Sequence, residues 1–436
     1  MFNYKPSKYN LYHQKGTSLR VMGQLTRAVV EFDNCNLESF TNLLETLPQD
    51  EIEILENYQI IVKNGINEYE KYLQSFYENR LLENELSLTI GFTFKCNFDC
   101  LYCIQKENYK NREDLSIEDV DQIIDWIECF LSKENKIEII NINYFGGEPT
   151  LNLQSVYYFS KRIHVICKKY GLDLYQQMVT NGFALNEDNI NKLVELNITE
   201  FQITLDGLAK QHNMRRSRTF DSFSKIVDNI VYLAKKNAQI YLLHVFDLSN
   251  SQSAIELVDY FDGLSQVHKE IKSSICFNFV PTIPKRVESV SCNKYVDGNE
   301  RLLSGKSVKA FVHAKEKGFE ITNYFDVGHC FRQAKNTMLI SPELELYKCY
   351  GVFGMKKYSI CNLKSTTLNK FFDQAESMST ANGFSDQCKE CDIVPLCRGG
   401  CQFSASESNN GIYGVELCER DLVLNSIQGF LENDLF

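Results

Sequence analysis

Between residues 86 and 284, apolar β-rich runs alternate with amphipathic stretches, a pattern that few architectures accommodate. The runs read LSLTIGF, IEIININ, LYQQMVT, TEFQITL, QIYLLHVF and SICFNFVP, with helical periodicity between them near 116–132, 152–170, 186–197, 221–236 and 251–264. Ser116 and Asn186 stand as N-caps ahead of two of these helices. Six strand–helix repeats at spacings of about 25–50 residues predict right-handed βαβ units in an α/β fold, a partial (β/α)6 TIM-like barrel. In such folds chemistry gathers at the C-terminal ends of the strands. The first run leads into CNFDCLYC, the second into YFGGEPTLN, the third into VTNG and the fourth into ITLDG, so four polar or glycine-rich motifs are expected on one rim.

The flanks read differently. A chain of 436 residues exceeds what a single core of about 250–300 residues encloses, so two to three domains are expected. Residues 1–84 carry a β-like segment around SLRVMGQLTRAVVEFD, helical patterns near 37–46 and 49–56, the segment YQIIVKN and a helix near 66–82, which together suggest a small winged-helix-like α+β unit. The barrel is expected over 85–285, a bridge with a helix near 302–317 over 286–326, and a cysteine-rich domain over 327–436.

The formal net charge of −11 argues against a nucleic-acid surface, which needs clustered Lys and Arg. Small molecules or peptides are the expected partners. No run of about 18 apolar residues appears, and MFNYKPSKYNLYHQKG lacks a signal-peptide core, so no membrane association and a cytoplasmic location are expected.

In a reducing compartment, sixteen cysteines do not make a disulfide framework, and most of them fall within residues 96–103 and 330–418. Metal or cluster ligation is the better reading. Cys96, Cys100 and Cys103 form a triplet where a closed site wants four ligands, implying a remote fourth ligand or an open metal corner. Cys388-x2-Cys391-x5-Cys397-x3-Cys401 follows near the C-terminus, preceded by Cys330, Cys349 and Cys361 and followed by Cys418. Cys129 and Cys167 fall in amphipathic helices and Cys276 in an apolar strand, where small apolar packing is expected. Cys35 and Cys292 carry no ligand spacing, and the seven histidines are scattered without one.

The triplet with Tyr102 before its last cysteine, followed by YFGGEPTLN, resembles the radical S-adenosylmethionine (SAM) enzymes. The resemblance implies that Cys96, Cys100 and Cys103 hold a [4Fe–4S] cluster whose fourth iron is chelated by SAM. Reductive cleavage of SAM would then yield a 5′-deoxyadenosyl radical that abstracts hydrogen from substrate. It further implies that Gly146, Gly147, Glu148 and Pro149 form the turn receiving the SAM ammonium group, with the glycines permitting close backbone approach to the ligand. Thr180, Asn181, Thr204 and Asp206 would make polar contacts to SAM, and Arg216 is a candidate contact for its carboxylate.

The C-terminal block resembles the SPASM extension of peptide-modifying radical SAM enzymes, which houses two auxiliary [4Fe–4S] clusters. By that resemblance the inner cluster takes Cys330, Cys349 and Cys401, and the outer one Cys388, Cys391, Cys397 and Cys418. The inner cluster is then one thiolate short, to be filled by Cys361 or left open for a substrate thiolate. Leu344 stands where the family carries a turn glycine, and no cysteine shortly precedes Cys330.

The expected activity is that of a maturase installing a thioether or carbon–carbon crosslink in a ribosomally made peptide. A leader would be captured by residues 1–84, and electrons would come from a flavodoxin- or ferredoxin-type donor. An anaerobic sulfatase maturase is the alternative within the enzymes, and a zinc-ribbon scaffold the alternative outside them.

Overall fold

A computed structural model describes residues 3–79, 84–105, 114–134, 136–281, 300–322, 330–365, 384, 386–401, 418 and 420–436. The chain begins with strands β1 (Tyr4–Pro6), β2 (Asn10–Lys15), β3 (Ser18–Gly23) and β4 (Val29–Phe32), then helices α1 (Leu37–Leu44) and α2 (Gln49–Asn57), β5 (Ile61–Lys63) and α3 (Glu68–Asn79). Strands β2, β3 and β4 form an antiparallel meander, while β1 pairs with β5. The segment SLRVMGQLTRAVVEFD supplies two of these strands rather than one. Residues 80–82 of the expected third helix lie outside the described residues.

The middle of the chain alternates as its pattern predicts: β6 (Glu85–Gly91), α4 (Ile117–Lys133), β7 (Ile139–Phe145), α5 (Leu153–Tyr170), β8 (Asp173–Thr180), α6 (Glu187–Glu195), β9 (Glu200–Thr204), α7 (Ala209–Arg215), α8 (Phe223–Lys235), β10 (Gln239–Phe246), α9 (Ser253–Ser265), α10 (Glu270–Ser274) and β11 (Ile275–Pro281). Strands β6 to β11 lie side by side in sequence order and run parallel. Period-2 alternation sorts their side chains. Leu86, Leu88, Ile140, Ile142, Phe201 and Ile203 face the helices and are buried, whereas Ser87, Asn141, Asn143, Gln177 and Gln202 alternate with them and are partly exposed on the opposite face.

The helix starts follow from capping chemistry. Ser116 accepts from the Asp119 amide at 3.1 Å while Asp119 returns the bond, a reciprocal capping box worth about 1 kcal/mol. Asn186 accepts from the Asn189 amide at 2.9 Å. Cys167 and Cys276 are buried as small apolar residues. Cys129 corrects its expectation: it is exposed, because the core face of α4 is made by Ile123, Ile124, Ile127, Phe130 and Leu131 and residue 129 falls on the other side of the helix.

Beyond β11 come α11 (Glu300–Glu316), β12 (Glu320–Ile321), β13 (Thr337–Ile340), β14 (Glu345–Tyr347) and β15 (Cys361–Asn362), followed by the short helices Asp386–Glu390 and Val394–Cys397 and the C-terminal helix Arg420–Glu432. Residues 286–299 and 323–326 of the expected bridge, with Cys292, lie outside the described residues. Strand β13 pairs parallel with β6, from Thr337 opposite Ser87 to Ile340 opposite Ile90, and β14 and β15 add antiparallel beyond it. The cysteine-rich segment thereby covers the β6 edge that an open half-barrel would expose. Leu344, in the turn before β14, has φ of 60°. That left-handed backbone, which glycine adopts freely, costs leucine about 1–2 kcal/mol. Its side chain is buried in the main core, and that burial offsets the cost.

The N-terminal unit docks on this C-terminal region. Gln24 donates to the Asp392 carbonyl at 2.8 Å, Lys8 to the Lys389 carbonyl at 3.0 Å, and Arg20 to Asp434 at 3.0 Å. Leu11 and Met22 share an apolar cluster with Ile393, Ile427 and Leu431. Tyr9, Tyr69, Tyr72 and Phe76 share another with Val394, against which Cys388 and Cys391 pack.

Candidate active site

The four strand-end motifs meet on one rim. After β7, the Gly147 amide donates to the Thr93 carbonyl at 2.8 Å and the Glu148 amide to the Lys95 carbonyl at 2.9 Å. The Gly-Gly turn is thus stitched to the residues that lead into the cysteine triplet. A Cβ on Gly147 would lie 2.2 Å from the Lys95 carbonyl oxygen and 2.5 Å from that of Phe94, and one on Gly146, whose φ is 137°, would lie 2.3 Å from that of Thr93. The glycines are therefore required by loop-on-loop contact, a reason the sequence did not expose.

Glu148 is 1% exposed and its carboxylate organises the rim. Oε1 accepts from the Thr150 amide, the Thr150 hydroxyl and the Thr180 hydroxyl at 3.1, 2.6 and 2.6 Å, and Oε2 accepts from the Asn181 amide at 2.6 Å. Burial raises its pKa, and these donors oppose the rise. Pro149 opens the 3-10 turn Pro149–Asn152, where its missing N–H costs nothing. Asn181 Nδ2 donates to Asn97 Oδ1 at 2.7 Å, tying the end of β8 to the cysteine loop.

That loop is also tied to the end of α7. The Asp99 and Leu101 amides donate to the Arg216 and Arg215 carbonyls at 3.0 and 2.9 Å. Asp99 further pairs with Arg218 at 2.6 Å. Cys96, Cys100 and Cys103 are half-buried and close enough to act on one another's charge; burial pushes the Cys96 thiol up to about 12 and the Cys100 thiol up to about 11. The Phe98 amide donates to Cys96 Sγ at 3.4 Å. A bound cation inverts such a shift, and three soft thiols converging on one loop suit an iron–sulfur centre.

Beside the triplet, Tyr102 donates to Asp206 Oδ2 at 2.7 Å and Arg216 Nη1 donates to the Tyr102 hydroxyl at 2.6 Å. Asp206 Oδ1 accepts from the Val245 amide at 3.2 Å. Burial raises the Asp206 pKa against the pull of Arg216 and Arg215. Among the described residues Arg216 Nε is buried without a hydrogen-bond partner, the kind of donor a ligand oxygen satisfies. Thr204 is buried at the upper end of β9 on the inner face of the sheet. The rim therefore fits a bound SAM and its cluster in donor chemistry.

Sequence reasoning missed several partners here. Arg215 pairs with Asp247 at 2.8 Å, and His212 accepts the Asp206 amide at 3.4 Å while its other ring nitrogen meets the Ser222 hydroxyl at 3.1 Å. Burial lowers the His212 pKa to about 2, so the ring is neutral. Asp247 directly follows β10. The strand-end rule that located four motifs, carried to the fifth strand, points to it.

The C-terminal cysteines form two groups. Cys388, Cys391, Cys397 and Cys418 line one cavity of about 520 Å3 together with Arg420, which is held by Asp392 at 2.9 Å. Cys330, Cys349 and Cys401 act on one another's charge, and burial pushes the Cys349 thiol up to about 11. Cys361 stands on β15 opposite Leu346 and packs against the main core. Among the described residues no three His, Cys, Asp or Glu side chains converge as tightly as one metal ion requires. A four-iron cluster holds its thiolates farther apart than a single ion does.

Comparison with known proteins agrees with this geometry. Residues 90–260 match the model of the Radical SAM superfamily. The radical SAM cyclopropyl synthase TigE of Paramaledivibacter caminithermalis is 23% identical over 398 residues, covering 86% of this chain and 80% of that protein. The cysteine-type anaerobic sulfatase-maturating enzyme of Clostridium novyi is 24% identical over 375 residues, covering 78% and 92%. The crystal structure of Streptococcus suis SuiB bound to its precursor peptide SuiA superposes with a TM-score of 0.56 at 16% identity, covering 96% of this chain and 99% of that one.

Proposed function

This chain is a radical SAM enzyme, and we propose that it is a peptide maturase that installs a thioether or carbon–carbon crosslink in a ribosomally made precursor. The observation that carries the proposal is the edge of the N-terminal sheet. Among the described residues β4 pairs only with β3, so one side of its hydrogen-bonding ladder is open, and its side chains alternate between exposed and half-buried. An extended leader adds to such an edge through main-chain bonds, with alternate side chains setting selectivity. The unit bearing this edge packs on the C-terminal region around Cys388, Cys391 and Cys397, which supports a role in peptide capture by the same enzyme. The likeness to a peptide-bound enzyme over 96% of the chain supports the reading at the level of fold.

In this proposal Cys96, Cys100 and Cys103 hold the SAM-binding [4Fe–4S] cluster. Cys388, Cys391, Cys397 and Cys418 hold an outer auxiliary cluster, and Cys330, Cys349 and Cys401 hold an inner one, completed by Cys361 or by substrate. When bound there, SAM and a reduced cluster would supply the radical chemistry that removes a hydrogen atom from the peptide. The chain's own residues would position the reactants: Gly146 to Pro149, Thr180, Asn181 and Thr204 shape the rim that would face SAM, and Arg216 Nε would be available to its carboxylate. Asp206 holds Tyr102 and Arg216 in place. In this reading the electron donor is a flavodoxin or ferredoxin, and cysteines kept as thiol ligands suit the reducing cytoplasm. A relative named as a cyclopropyl synthase favours carbon–carbon bond formation.

Deleting residues 1–84 would strip the two apolar clusters that pack on the C-terminal region, so binding is better tested in the whole protein. With a short peptide that the reconstituted holoenzyme modifies as ligand, hydrogen exchange in Val29–Phe32 is expected to slow by about tenfold or more, reporting main-chain pairing at β4. Unchanged exchange there with peptide bound assigns the N-terminal unit a structural role. The product is expected to weigh two hydrogens less than the precursor and to be inert to hydrazines. A hydrazine-reactive aldehyde would instead establish the alternative reading, an anaerobic sulfatase maturase that oxidises Cys or Ser to formylglycine.

A further inference from the structure

The inner face of the half-barrel carries a chamber whose composition points to one kind of substrate side chain. Strand register sets Thr89, Asn143, Gln177 and Glu200 side by side across four strands, with Ser87, Asn141 and Tyr175 forming the next row. These rows line a cavity of about 260 Å3, whose far wall is made by Phe331 and Tyr350 from the C-terminal region. The Tyr350 hydroxyl is held by Thr89 at 2.6 Å and by Asn143 Nδ2 at 3.3 Å, fixing that wall against the sheet.

Three features of the chamber are complementary to a cation. Among the described residues Glu200 is its only carboxylate, no Lys or Arg lines it, and no ion pair to Glu200 occurs. Burial raises the Glu200 pKa with no cation to oppose it. Among the described residues no donor meets the buried Asn143 Oδ1, while Nδ2 of the same amide donates to Tyr350. Three aromatic rings, Tyr175, Phe331 and Tyr350, line the same space, and Tyr175 is 54% exposed, so its ring is available to a ligand. A carboxylate, an acceptor-only amide oxygen and aromatic rings together hold an ammonium or guanidinium group.

We propose that this chamber takes a lysine or arginine side chain of the peptide substrate, with Glu200 as the specificity-determining carboxylate. The inference rests on the peptide-maturase reading and names the residue class that the site receives. Its position suits that role. Asn143 lies three residues before Gly146, the turn residue that follows its strand, about 10 Å at about 3.3 Å per residue. A long side chain that enters from the rim would reach this level with its backbone near the cysteine loop.

The test is calorimetric binding of Ac-Ala-Lys-Ala-NH2 and its norleucine counterpart to the reconstituted holoenzyme with SAM. The lysine peptide is expected to bind about tenfold tighter or more. The preference should vanish in Glu200→Gln and pass to the Ac-Ala-Glu-Ala-NH2 peptide in Glu200→Lys. Equal binding of the lysine and norleucine peptides, including no measurable binding of either, overturns the proposal, as does a lysine preference that survives Glu200→Gln. Modification of a longer precursor peptide by the same holoenzyme is scored separately. A lysine preference without any modified peptide removes the maturase reading alone, and a modified peptide without the preference removes the chamber's assignment alone.

Discussion

Replacing Cys96, Cys100 and Cys103 together with alanine is expected to reduce 5′-deoxyadenosine formation from SAM to background while the protein stays folded. The separation follows from how the loop is held. Its anchors are main-chain bonds from Asp99 and Leu101 to the Arg216 and Arg215 carbonyls and from Gly147 to Thr93, together with the amide pair Asn181–Asn97. None of these uses a thiol. The three thiols are only half-buried, so removing their sulfurs costs about 1 kcal/mol each at most, a shift of a few degrees in the thermal midpoint. Iron bound by the C-terminal cysteines should persist, since those groups lie on separate elements. Undiminished 5′-deoxyadenosine from the triple variant would remove the assignment of the triplet.

Gly147→Ala is expected to damage the same function from a position that donates no ligand. The new methyl would meet the Lys95 and Phe94 carbonyl oxygens at 2.2 and 2.5 Å, well inside contact distance, and backbone cannot swing aside as a flexible side chain can. Relief requires the turn and the cysteine loop to part, at the expense of the bonds from Gly147 to Thr93 and from Glu148 to Lys95. Overpacking and two lost bonds together cost about 3 kcal/mol or more. Equilibrium SAM binding should weaken by at least about tenfold, and denaturant unfolding should show the stability loss. Gly171→Ala is the control. That residue caps α5 with φ of 70° and nothing within 4 Å, so alanine there should cost about 1 kcal/mol and leave SAM binding unchanged. Wild-type SAM affinity in Gly147→Ala would show that the turn tolerates separation from the loop.

The amino-acid sequence by itself determined the six parallel strands and their helices, because side-chain periodicity is written within each element and needs no distant partner. Ile140, Ile142 and Tyr144 alternate with Asn141, Asn143 and Phe145 on one strand, and that alternation alone fixes which face is buried. It also placed Cys96, Gly147, Thr180 and Asp206 at strand ends, and parallel strands carry their ends to one rim. Tertiary structure alone decided what joins these pieces across long stretches of chain. That β13 covers β6 rests on pairing between residues near 338 and 88, for which β13's four residues carry no local signal. That Arg215 and Arg216 hold the cysteine loop is decided by backbone carbonyls, which every residue possesses and no residue type announces. The joining of Thr89, Asn143, Gln177 and Glu200 into one row is a matter of register between strands. Register emerges only when the whole sheet assembles, since it depends on the packing of every helix behind it.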